Sequence, residues 1–164
     1  MKFEGIYTPA ITPLKADGEI DKTAFAEVLE YLIAARVHGI IIAGSTGEYY
    51  AHTTQERLDL AAWAKEVIGT RTQLVIGTGA VRTEESVEYA RLAKVIKADA
   101  ILVGSPPYAL PTEQENAAHA LAIDQAAQNI ARRNEVSEAE MYRRLAADGV
   151  SREQFREELR RQLL

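Results

Sequence analysis

The chain contains no cysteine, which excludes both a disulfide framework and a thiolate metal site. It has no apolar run approaching the roughly 20 residues that span a bilayer, so no membrane partner is expected. Its opening residues, Met1 to Lys15, hold no stretch apolar enough for a secretory leader. Positive charge is in the minority: 19 Lys and Arg stand against 24 Asp and Glu, a net charge of −5. That sign opposes a surface that tracks phosphates, so nucleic acid is not an expected partner. The three histidines, His38, His52 and His119, lie far apart without ligand spacing, and neither a metal nor a cofactor is expected. What remains is a globular composition, 47% hydrophobic and 26% charged over 164 residues, with enough chain for one domain with a real core. A cytoplasmic location is the expectation.

Lysine runs out partway along. Lys2, Lys15, Lys22, Lys65, Lys94 and Lys97 are the full set, whereas eight of the thirteen arginines lie after position 131. The character of the pattern shifts with them. From Gly5 to about Ile123, strand-like and helix-like segments alternate. Gly5–Ile11 is a short β run containing Pro9. Asp21 is placed to cap a helix with Phe25, Val28, Leu29, Leu32 and Ile33 at helical spacing, and Gly39 is placed to end it. Ile40–Ala43 is a continuous apolar run, as expected of a strand covered on both faces; Leu74–Ile76 and Ala100–Val103 repeat it. Thr53 or Thr54 opens a second helix and Thr83 is the expected cap of a third. Thr112, with Glu115 three residues on, forms a capping box for a fourth. Four βα units with short connections imply a parallel sheet with right-handed crossovers; periodicity leaves barrel and doubly wound sheet both open.

No fifth apolar run follows. Ala131-Arg-Arg-Asn-Glu135 stands where it is expected, and further helices are read instead, capped by Ser137 with Glu140 and by Ser151 with Gln154. The expected domains are therefore 1–123 and a helical tail at 124–164.

Each strand is followed by a distinctive loop: Thr8-Pro-Ala-Ile-Thr-Pro13 at the first, Gly44-Ser-Thr-Gly-Glu48 after the second, Gly77-Thr-Gly-Ala80 after the third and Val103-Gly-Ser-Pro-Pro-Tyr108 after the fourth. Gly77-Thr78-Gly79 lacks the third glycine and acidic partner of a dinucleotide fingerprint; a close backbone approach is the expected reason for its glycines. Together, in this order, these loops resemble the dihydrodipicolinate synthase and N-acetylneuraminate lyase family. The resemblance implies the first half of a TIM barrel, and with it a class I aldolase that joins pyruvate or a similar 2-keto acid to a lysine as a Schiff base. It implies that Ser45 sits in a proton relay, that Thr46 with Gly44 and Gly47 binds the keto-acid carboxylate, and that Tyr108 lies near the relay. Ala109 departs from the tyrosine many synthases carry. The family's lysine belongs to a sixth strand, and this sequence has no lysine after Lys97. Inactivity of the chain alone is therefore expected, together with self-association through the exposed edges of the first and fourth strands. The tail resembles the helical amino-terminal region of SurA-type periplasmic chaperones, which implies a chimera joined near Ile123-Asp124 and an interaction module there.

Overall fold

The structure, a computed structural model, describes residues 3–108 and 110–133; Ala109, the region from Asn134 onward and the capping boxes expected there lie outside them. The chain divides into two compact units, Met1–Gln128 and Asn129–Leu164, and the first holds the fold.

Four strands, β1 (Tyr7–Pro9), β2 (Gly39–Ile42), β3 (Gln73–Gly77) and β4 (Ala100–Leu102), form one sheet in the order β1-β2-β3-β4. Every pairing is parallel. A doubly wound sheet reverses its strand order at a switch point; this sheet never does, and its sequential order is that of barrel strands. Helices α1 (Lys22–Ala34), α2 (Thr54–Ile68) and α3 (Thr83–Val95) fill the crossovers, and α4 (Glu113–Arg133) follows β4. The fold is part of a TIM barrel.

Strand alternation explains the core. Ile40, Ile42, Leu74 and Ile76 are buried with Phe25 and Leu29 of α1 and Leu60, Ala61, Ala64 and Ile68 of α2, each large apolar side chain contributing about 1.5–3 kcal/mol. The alternate residues line the opposite face. There Gly39 admits the Tyr7 ring, whose carbons would lie 2.4 Å from a Cβ at that position, and the Tyr7 hydroxyl reaches Gln73 Oε1.

Two local expectations are corrected. Gly39 does not end α1: that helix stops at Ala34, Arg36 takes the left-handed turn at φ 58°, and Gly39 begins β2. Thr83 does not cap α3 either. Arg82 holds the cap position without a side-chain bond, and the Thr83 hydroxyl pairs instead with His119 Nδ1 of α4 at 2.9 Å. Asp21 and Thr53 cap α1 and α2 as expected, Asp21 accepting from the amides of Thr23 and Ala24. Among the described residues no helix is long and apolar enough to cross a membrane.

Candidate functional site

The four loops leave the carboxyl ends of parallel strands, where the catalytic groups of TIM barrels gather. After β2 the chain turns abruptly. Ala43 adopts φ 55°, a left-handed conformation costing a non-glycine residue about 1–2 kcal/mol, and Glu48 does the same at φ 53°. Between them Ser45–Gly47 form a single 3₁₀ turn, closed by bonds from the amides of Gly47 to Gly44 O (3.1 Å) and Glu48 to Ser45 O (3.1 Å). Gly44 and Gly47 are buried, while Ser45 and Thr46 are exposed. The turn thus presents the two hydroxyl residues on a base of two glycines.

Three contacts hold this turn. The Thr12 hydroxyl donates to Gly47 O at 3.0 Å, tying the first loop to the second. A Cβ on Gly47 would stand 3.0 Å from Ala10 O, so the position is crowded. A Cβ on Gly77 would meet Ala43 O at 2.2 Å, which shows why the third strand ends in glycine: it makes room for the carbonyl that the Ala43 turn pushes across. Gly79 likewise faces the Tyr49 ring, with Cζ 3.0 Å from a built Cβ. The close approach expected of these glycines is present, and its partners are the neighbouring loop and an aromatic ring.

Arg57 is the organising residue that sequence reasoning missed. It is 4% exposed, on the second turn of α2, and its guanidinium donates to Gly79 O (Nη1, 2.7 Å) and Gly77 O (Nη2, 2.9 Å). It lies 3.6 Å from the Tyr89 ring centre and 5.1 Å from that of Tyr49. Burial pushes its pKa below the usual arginine value, opposed by Tyr89, Tyr49 and Glu85; a guanidinium nevertheless stays charged. One cation therefore fixes the third loop and, through Tyr49, the segment that follows the 3₁₀ turn. Its signal in the sequence was a charged residue at a helix position otherwise facing the core, between Thr53 and Leu60.

The remaining predicted residue, Tyr108, follows β4. It is fully exposed, with φ 70°, and no hydrogen bond or ring contact joins it to Ser45 or Thr46 among the described residues. Thr78, by contrast, is buried and donates both its amide (3.0 Å) and hydroxyl (3.1 Å) to Leu102 O, fastening the third loop to β4.

The lysines divide by position. Lys94 is in the last turn of α3, Lys97 follows the helix, and Lys65 near the end of α2 donates to Lys97 O at 3.0 Å; all three stand at the amino ends of the strands, away from the loops. Lys15 is in the first loop, on the correct side, where its ammonium bonds Glu19 at 3.0 Å. That hydrogen bond raises its pKa above the usual lysine value, whereas a Schiff-base amine must shed its proton to attack.

The dihydrodipicolinate synthetase family model matches residues 2–131. The chain is 37% identical over 123 residues to a 4-hydroxy-tetrahydrodipicolinate synthase of Stenotrophomonas maltophilia, covering 75% of this chain and 41% of that protein. It is 36% identical over 121 residues to the synthase of Acidithiobacillus ferrooxidans, covering 74% and 42%. Among solved structures, dihydrodipicolinate synthase from Aquifex aeolicus superposes with a TM-score of 0.73 at 31% identity, over 76% of this chain and 42% of that one. The chain spans about two fifths of the length of these relatives.

Proposed function

The chain belongs to the dihydrodipicolinate synthetase family, and on that premise we propose that it carries the keto-acid-binding half of a pyruvate-dependent aldolase site without the amine that begins the chemistry. The observation that carries this reading is the turn at Gly44–Gly47, strained at both ends and braced from two neighbouring loops. In the proposed site Thr46, with the backbone of Gly44 and Gly47, holds the carboxylate of pyruvate or a similar 2-keto acid. Ser45 passes a proton, and Tyr108 stands near that relay. The reaction class is that of a lyase: a lysine amine adds to the keto carbon, water leaves, and the resulting Schiff base accepts electrons while a carbon–carbon bond forms. Lys65, Lys94 and Lys97 stand at the amino ends of the strands, the Lys15 ammonium is tied to Glu19, and no lysine follows Lys97; in this reading the polypeptide does not form that adduct by itself.

The test is reductive trapping. The purified chain is incubated with pyruvate and borohydride and its intact mass is measured; no added mass is expected. A trapped adduct on any lysine, Lys15 above all, overturns the inactivity. Pyruvate-dependent shifts of the Ser45 and Thr46 amide resonances, lost in Thr46→Val, test the binding half separately.

A second reading is favoured by the redistribution of arginine after position 131. In that reading residues 124–164, by their resemblance in sequence to the amino-terminal region of SurA-type chaperones, act as an interaction module. Suppression of aggregation of an unfolded outer-membrane protein by the full chain, absent from a chain ending at 133, supports it; equal activity of both sinks it.

A further inference from the structure

Arg57 is a buried cation whose place is set locally and whose side-chain contacts lie on other elements. The capping box of Thr53 and Glu56 fixes the first turn of α2, and the Arg57 amide donates to Thr53 O at 3.1 Å. The guanidinium is 4% exposed, and its two bonded nitrogens reach main-chain carbonyls, those of Gly79 and Gly77. Its Nε is buried without a hydrogen-bond partner. An apolar side chain is the ordinary occupant of so buried a position. What the guanidinium adds is a rigid fork that spans two carbonyls and a charge that faces two aromatic rings.

Both additions converge on the turn at Gly44–Gly47. The fork fixes Gly77, which packs against the entrance of that turn: a Cβ on Gly77 would lie 2.2 Å from Ala43 O and 3.1 Å from Gly44 N. It also fixes Gly79, which packs against Tyr49, the residue after Glu48; a Cβ there would stand 3.0 Å from the ring Cζ and 3.3 Å from the hydroxyl oxygen. The charge is drawn to the same ring, 5.1 Å from its centre, and to that of Tyr89 at 3.6 Å. Tyr89 is itself tied to the start of α2, its hydroxyl donating to Thr54 Oγ1 at 3.2 Å. Tyr49 returns to the turn through its amide, which donates to Gly44 O at 3.4 Å. One side chain thus grips the turn at its entrance and its exit, where Ala43 and Glu48 hold left-handed φ values. Resting on the keto-acid reading above, we propose that Arg57 is a positioning residue for that turn, keeping Ser45 and Thr46 presented to the carboxylate of a 2-keto acid without touching it. Strained backbone persists where its surroundings over-determine it, and Arg57 supplies that constraint from two sides.

The experiment measures amide hydrogen exchange by NMR in the full chain without ligand. In Arg57→Leu the amides of Gly47 and Glu48, which close the turn, should exchange about tenfold faster, over and above any change at Leu74 and Ile76 in the core. Arg57→Lys keeps the charge and one carbonyl bond but not the fork, so it should recover part of that protection. Tyr49→Leu removes the ring while leaving the bonds to Gly77 O and Gly79 O in place; it should loosen the same two amides, and it carries the test where Arg57→Leu does not fold. The dissociation constant for pyruvate, read from the Ser45 and Thr46 amide shifts, should rise most in Arg57→Leu and less in Arg57→Lys. Turn amides that only keep pace with the core amides in Arg57→Leu overturn the proposal, as does a lysine that recovers nothing or a turn indifferent to Tyr49→Leu. Exchange is read without pyruvate, which separates the two readings. A parent chain whose Ser45 and Thr46 amides ignore pyruvate sinks the keto-acid reading alone, whereas one that binds pyruvate while its variants keep the parent's exchange sinks only the positioning.

Discussion

β3 and β4 are neighbours in one sheet and are written in the same apolar language, Leu-Val-Ile against Ile-Leu-Val. Their fates differ. Leu74, Val75 and Ile76 are buried, whereas Leu102 and Val103 lie open. The strand sequence therefore specifies an environment, covered on both faces and paired on both edges, and β3 finds that environment while β4 finds half of it. A fully apolar strand is evidence about what is meant to surround it as much as about its own conformation.

The largest effect expected from that contrast is in the core. Leu74→Ala empties a fully buried site and should cost about 2–5 kcal/mol in urea unfolding. Leu102→Ala, half exposed, should cost about 1 kcal/mol or less. Equal costs break the comparison. The glycines ending the two strands sharpen it. A Cβ on Gly77 collides with Ala43 O at 2.2 Å, whereas one on Gly104, beyond β4, meets nothing within 4 Å. Gly77→Ala should cost about 1–3 kcal/mol from overpacking. Gly104→Ala should be neutral or slightly stabilising, by up to about 1 kcal/mol, because it only removes freedom from the unfolded chain.

Arg57 extends the contrast to charges. Arg57→Leu leaves the buried Gly77 O and the partly buried Gly79 O without their donors, and about 1–3 kcal/mol is expected from lost hydrogen bonds of this kind. Glu19→Gln, which breaks the exposed Lys15–Glu19 pair of the first loop, should leave unfolding unmoved within error, since exposed ion pairs contribute little. If both variants unfold alike, the clamp is decorative.

What the sequence disclosed follows from the range of the forces involved. Strands, helices and three of the caps were legible because periodicity and capping are local: Asp21, Thr53 and Thr112 bond partners two or three residues away. Gly39 and Thr83 were misplaced because their determinants are distant. Gly39 answers to Tyr7 and Thr83 to His119, neither of which a window along the chain can see. The loop motifs were found by resemblance, but the reason for Gly77, a carbonyl thrown across by the Ala43 turn, and the clamp by Arg57 both depend on neighbouring strands. Barrel against doubly wound sheet was open for the same reason, since strand order is a tertiary fact.

The smallest effect separates two copies of one local device. Thr53 with Glu56 and Thr112 with Glu115 make the same capping box, amide and hydroxyl of the threonine both reaching the glutamate at 2.7–2.9 Å. In each, the hydrogen bonds from the threonine, its amide first, hold the glutamate below the ordinary value of 4.5. A lowered folded pKa means stability that is present above that ordinary value and fades as pH falls through the folded one. Glu56→Gln should therefore be destabilising at neutral pH and indistinguishable from the parent well below pH 4.5. Thr53→Ala should cost about 1 kcal/mol at neutral pH, because α2 packs Leu60, Ala61, Ala64 and Ile68 into the core and its end cannot fray without global loss. Thr112→Ala should register far less in global unfolding and instead speed amide exchange in the first turn of α4, whose buried stripe begins only at His119. Identical global costs for the two threonines mean that α4 is as firmly built into the fold as α2, and that the sheet's fourth strand is less of an edge than its exposure indicates.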